Sequence, residues 1–95
     1  MASDVNEISV QYEEDGIVIV KELDKVILSK GAWATLIFKY QDWNRAKGEY
    51  SPPHFTIRRY RKMNNEYRQQ SKFNISSTDQ ALKIINALQG WVDAP

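Results

Sequence analysis

The sequence predicts an α+β domain in which several antiparallel strands precede one amphipathic C-terminal helix. Three observations predict it. Period-two alternation runs through Trp33–Tyr40 and Phe55–Met63, the mark of strands with two distinct faces. Turn signals at Asp15-Gly16 and Asn64-Asn65 separate β-rich runs. Helical spacing occurs only near the end, where Ala81, Leu82, Ile84, Ile85 and Leu88 form a stripe.

Residues 1–7 read as a frayed start. Ile8, Val10 and Tyr12 alternate with polar residues, as in a short half-buried strand. Across the Asp15-Gly16 turn, Ile17–Val20 is a β-branched run suited to a strand. The polar stretch Glu22–Lys25 is expected to interrupt it before Val26–Leu28 resumes. Ser29-Lys30-Gly31 reads as a bend. In the strand that follows, Ala34, Leu36, Phe38 and Tyr40 share one face, and Trp33, Thr35, Ile37 and Lys39 the other. Both faces are largely apolar, so this strand belongs in the middle of a sheet. Gln41–Pro53 reads as a loop, because Pro52-Pro53 cannot donate to a ladder. His54–Met63 and Glu66–Ile75 then form two strands around the Asn64-Asn65 turn. Ser77 and Gln80 have capping-box spacing, Asp79 suits the positive helix start, and Gly90 reads as a stop.

The net charge of +1 conceals a strong asymmetry. Residues 1–24 carry seven acids against Lys21, a net of −6. Residues 25–72 carry eleven Lys and Arg against Asp42, Glu49 and Glu66, a net of +8. The middle segment therefore has the field of a polyanion binder. A chain of 95 residues forms one small domain, and a second copy would add to its modest core. The absence of cysteine excludes disulfides, thiolate metal sites and a thiol nucleophile. No apolar run approaches the roughly 20 residues of a membrane helix, and the acidic N-terminus is unlike a signal peptide. The chain therefore reads as soluble and intracellular.

Catalytic patterns are weak. His54 is the only histidine and stands beside two prolines. Glu13, Glu14 and Asp15 fit a solvated turn, Ser76-Ser77-Thr78 fits helix capping, and no phosphate-cradling glycine pattern occurs. The expectation is a protein that is not an enzyme, with neither cofactor nor metal.

Residues 55–75 carry the chemistry. Arg58, Arg59, Arg61, Lys62, Arg68 and Lys72 are interleaved with Tyr60, Tyr67 and Phe73, and Glu66 is the only acid. Cations neutralise phosphates and flat rings stack on unpaired bases, a combination that holds single strands without reading sequence. Alternation puts Phe55, Ile57, Arg59, Arg61 and Met63 on one side, with Thr56, Arg58, Tyr60 and Lys62 on the other. The alternative is a solvated strand face, with arginine stems packed on rings.

Three stretches resemble the single-stranded-DNA-binding domain of the transcriptional coactivator positive cofactor four, with its bacterial and phage relatives. They are VILSKGAWATLIFKY (Val26–Tyr40), FTIRRYRK (Phe55–Lys62) and KFNISSTDQALKIINAL (Lys72–Leu88). The resemblance covers about sixty residues. It implies a curved antiparallel four-stranded sheet plus a C-terminal helix over residues 25–95. Residues 1–24 would be an acidic N-terminal extension forming an extra hairpin. It also implies a homodimer with paired helices and grooves for single-stranded DNA. Lys30, Lys39, Tyr40, Arg58 and Lys72 fall at the family's groove positions. Arg61 stands where the family often has a stacking tryptophan. The loop carrying Trp43, Arg45 and Lys47 is longer than in the family, and the N-terminal extension replaces its regulatory tail. Transcriptional coactivation is therefore not carried over.

The combined expectation is a sequence-independent single-stranded-DNA-binding homodimer serving replication, recombination, repair or transcription. Lys30, Lys39, Arg58, Arg61 and Lys72 would take phosphates, joined by Arg45 and Lys47. Tyr40, Trp43, Tyr60 and Tyr67 would stack on bases. Ile84, Ile85, Leu88 and Trp91 would form the dimer contact. A protein-interaction module, with replication or transcription proteins as partners, and an RNA-binding module are the alternatives.

Overall fold

In the computed structural model, which describes residues 3–94, strand and helix follow the two periodicities. The elements are β1 (Tyr12–Glu14), β2 (Ile17–Ser29), β3 (Trp33–Asn44), β4 (Glu49–Tyr50), β5 (His54–Met63), β6 (Glu66–Ile75) and α1 (Thr78–Asp93). They form one curled antiparallel sheet in the order β1-β2-β3-β5-β6, with β4 paired to the far end of β3. No helix among the described residues is long and apolar enough to cross a membrane.

Register defines two faces. Leu36 pairs with Arg58, Phe38 with Thr56 and Tyr40 with His54, which puts these residues on the front. Trp33 pairs with Arg61, Thr35 with Arg59 and Lys39 with Phe55, which puts these on the back. The front face holds the core. Ala34, Leu36, Phe38 and Tyr60 are buried there against Ile8 and Val10. The segment before β1 is thus a strap across the sheet. A capped 3-10 turn at Val5–Glu7 replaces the frayed start expected for this region, and residues 1 and 2 lie outside the described residues. Polar side chains of β2 fix the strap. Lys25 Nζ donates to the carbonyls of Asn6 (2.6 Å) and Ile8 (2.7 Å), and the Glu22 carboxylate accepts from Ser9 Oγ (2.8 Å) and Val10 N (3.2 Å).

Those bonds explain why Glu22–Lys25 does not interrupt the strand. Glu22 and Lys25 face the strap, and a bulge at Leu23 shifts the register between Glu22 and Asp24 while β2 continues. A domain boundary at residue 24 therefore falls inside a single strand. The sheet adds the short strands β1 and β4 to four long ones. Gln41–Pro53 is not all loop either. β3 runs on to Asn44 and returns through β4, with Gly48 at φ +65 in the turn and Trp43 edge-on to Tyr50.

Asn64 and Asn65 both adopt positive φ, as a two-residue hairpin turn between β5 and β6 requires. At the start of α1, Ser77 Oγ accepts from Gln80 N (3.1 Å), while the Gln80 side chain accepts from Ser76 N (2.9 Å). Gly90 does not stop the helix, which continues to Asp93 and closes with Ala94 N donating to Gly90 O. The helix stands over the back face across an apolar groove of about 370 Å³. Ile37, Phe55, Ile57 and Ile75 line it from the sheet, and Ile84, Ile85 and Leu88 from the helix.

Candidate nucleic-acid interface

The β5–β6 ribbon carries six cations between Arg58 and Lys72, and its register decides how they meet. Arg58 pairs with Lys72 on the front and Arg61 with Arg68 on the back. Directly opposed residues bring their Cβ atoms to within roughly 5 Å, and like charges there repel. Acids answer little of this. Among the described residues the only ion pair on the ribbon is Arg68–Glu66, at 3.6 Å and largely exposed. Such a pair contributes about 0–1 kcal/mol. β6 is an edge strand whose residues from Arg68 to Asn74 are all exposed, so these charges face solvent.

The bend between β2 and β3 lies at the same end of the sheet as the β5–β6 turn. Lys62 N donates to Ala32 O, and Tyr67 Oη donates to Gly31 O at 2.7 Å. Lys30, Lys62 and Tyr67 thereby line one hollow, with Asp4 and Val5 of the strap at its rim. Lys62 Nζ lies 5.5 Å from the Tyr67 ring centre. Round the edge, on the back, Trp33 meets two guanidinium groups, Arg59 at 4.4 Å and Arg61 at 5.4 Å from its ring centre.

The expected site residues divide accordingly. Arg58, Lys72, Tyr67 and Lys30 gather around the front and tip of the ribbon. Arg58 donates to Gln69 Oε1 at 3.1 Å, which holds its guanidinium toward β6. Tyr40 is on the front at the opposite end, 5.8 Å from the His54 ring, and His54 Nδ1 lies 3.2 Å from Ser76 O. Three placements separate the other expected site residues from that group. Lys39 and Arg61 are on the back, because their strands present alternate residues to opposite faces, and Lys39 stands across from Asp24. Tyr60 is 7 % exposed within the strap-covered core, so its ring is closed to an incoming base. Trp43, Arg45 and Lys47 sit on the β3–β4 arm, at the other end of β3 from the Trp33–Arg61 pair.

Burial pushes the Tyr60 hydroxyl above the usual phenol value, with Arg58 pulling the other way. Burial, helped by Asp42, also raises Tyr40, and Arg58 again opposes it. Both phenols therefore stay neutral at physiological pH and add no negative charge beside Arg58. No group of three or more His, Asp or Glu side chains that could hold a metal occurs among the described residues.

Trp33 has no place in the site expected from the sequence, and Arg59 enters it only as one of the ribbon's six cations. Their signal is a period-two match, Trp33 with Thr35 and Arg59 with Arg61, and it becomes a contact only once the β3–β5 register is known. Set against family models, curated proteins and solved structures, the chain matches none of them.

Proposed function

We propose that this protein binds single-stranded DNA, without reading its sequence, along the β5–β6 ribbon. The carrying observation is a pair of like-charge oppositions, Arg58 with Lys72, where neither side chain has an ion-pair partner among the described residues, and Arg61 with Arg68, where only the exposed Glu66 answers Arg68. A fold places like charges across a ladder at a cost in stability, and a polyanion offsets that cost. The rings beside them, Tyr67 and Trp33, offer stacking surfaces for unpaired bases. The resemblance of three stretches to positive cofactor four supports the same reading. In a cell such binding would serve replication, recombination, repair or transcription.

The binding unit is a homodimer. The chain has a radius of gyration of 15.3 Å and a thickness of 17 Å. A compact domain of this length would have a radius near 12 Å. Its accessible surface is 6742 Å². Folded monomers of this mass expose roughly 5,700 Å². The excess is comparable to the ~800 Å² that one partner contributes to a standard interface. Ile85, Leu88 and Trp91 are exposed on α1, and Val26, Leu28 and Phe73 are exposed on the sheet. A second copy laid over the helix and the apolar part of the back face beside it would cover them.

A gel shift comparing a labelled single strand with its duplex tests the reading. Selective retardation of the single strand supports it, and equal retardation or none refutes it. A ribose competitor separates DNA from RNA binding. The exposed helix favours one second reading, a protein-docking module. In that case partner capture survives Arg58→Glu with Arg61→Glu and fails on Leu88→Asp.

A further inference from the structure

The back-face end of the ribbon is chemically unlike the rest of that face. Beyond the apolar groove under α1, whose sheet lining ends with Ile37, Phe55, Ile57 and Ile75, the register places Trp33 beside Arg61 and Thr35 beside Arg59. Arg68 follows across from Arg61 and Ser71 across from Arg59. Two guanidinium groups, those of Arg59 and Arg61, thus lie beside one indole that is 39 % exposed, with Arg68, ion-paired to Glu66, one strand further out.

Arginine packed on a ring is ordinary, and alone it says little. Two further features distinguish this cluster. Neither Arg59 nor Arg61 has a carboxylate partner or a side-chain hydrogen bond to protein among the described residues. A guanidinium lying against a ring keeps its in-plane N–H donors for another acceptor, and that fork matches a phosphate. The ring also orders the side chain beforehand, so less freedom is lost when a phosphate arrives. Two guanidinium groups with unspent donors, beside an accessible indole, fit one base flanked by its two phosphates.

We infer that Trp33, Arg59, Arg61 and Arg68 form a second nucleic-acid subsite, on the back of the ribbon, where an unpaired base stacks on Trp33 and the adjoining phosphates bind the three arginines. The subsite rests on the single-strand reading above and deepens it. The strand held by Arg58 and Lys72 passes round the exposed edge of β6 to reach it. Duplex DNA, whose bases are already stacked, is excluded.

The test uses the full chain with Trp43→Phe and Trp91→Phe, so that Trp33 is the only tryptophan. A dye-labelled thymidine 12-mer is titrated while dye anisotropy and Trp33 emission are followed together. The expected result is a rise in anisotropy with at least a twofold loss of Trp33 emission at saturation, and no loss with a 12-bp duplex. Trp33→Leu in the otherwise unaltered chain is expected to weaken 12-mer binding about tenfold, and Trp33→Phe far less, because a phenyl ring still stacks. A rise in anisotropy with unchanged emission overturns the subsite and leaves front-face binding standing. Equal quenching by the duplex also overturns it. With neither signal, and no rise in anisotropy when the natural chain is titrated in the same way, both readings fall.

Discussion

Lys72 stands directly across from Arg58 on the β5–β6 ladder, and among the described residues no carboxylate forms an ion pair with either. Repulsion between opposed like charges lowers stability by roughly 0.2–1 kcal/mol. Lys72→Gln is therefore expected to raise the urea midpoint modestly. The same change should weaken single-strand binding and flatten the plot of log affinity against log salt by about 0.7, the share of one phosphate contact. A gain in stability coupled to a loss of binding marks a residue kept for its ligand. Denaturation and salt titration on one preparation check both halves.

The strap supplies Ile8 and Val10, two of the six buried residues of the core cluster. Ile8 is 3 % exposed against the buried front-face residues of β3 and β5. Truncation to Ile8→Ala should cost about 2–4 kcal/mol, the range for a buried aliphatic side chain in a core that relaxes only partly. Ser9→Ala, which loses two exposed hydrogen bonds, one donated to Glu22 and one accepted from Gln11 N, should cost about 1 kcal/mol. Thermal melts of the two variants check the order.

Tyr60 makes stability depend on alkaline pH. Burial raises its folded pKa above that of a free phenol, about 10, so the folded state favours the neutral form. Its contribution is complete below about pH 10, the unfolded value, and is lost as pH rises through the folded value. Urea titrations at pH 9 and pH 11 should show a larger loss for the natural chain than for Tyr60→Phe.

Much of the fold was legible because it is local. Alternation in Trp33–Tyr40 and Phe55–Met63 marked strands, the paired asparagines marked a turn, and the Ala81–Leu88 stripe marked the helix. The missed features depend on distant partners. Glu22 and Lys25 look like a strand breaker until the strap they bind is in place. Gly90 resembles a stop only if the helix has no further turn to complete. Lys39 and Arg58 each have a face that their own strand predicts. Whether those faces coincide depends on the pairing of Tyr40 with His54, which no local pattern encodes. The covering of Tyr60 and the meeting of Trp33 with Arg59 follow from the same nonlocal geometry.

The proposed dimer makes its own prediction. Leu88 on α1 is 54 % exposed and borders the apolar groove. Leu88→Asp should leave the sheet's circular dichroism in place and convert a sedimenting dimer into a monomer. A natural chain that sediments as a monomer would refute the proposed assembly.

Titration of the protein into a labelled thymidine 20-mer and into a matched duplex, across a series of salt concentrations, tests single-strand binding most directly. Preference for the single strand, with a salt slope that falls when Arg58 and Lys72 are both neutralised, is the predicted result. Equal affinity for the duplex, or a slope unmoved by those two changes, would contradict it.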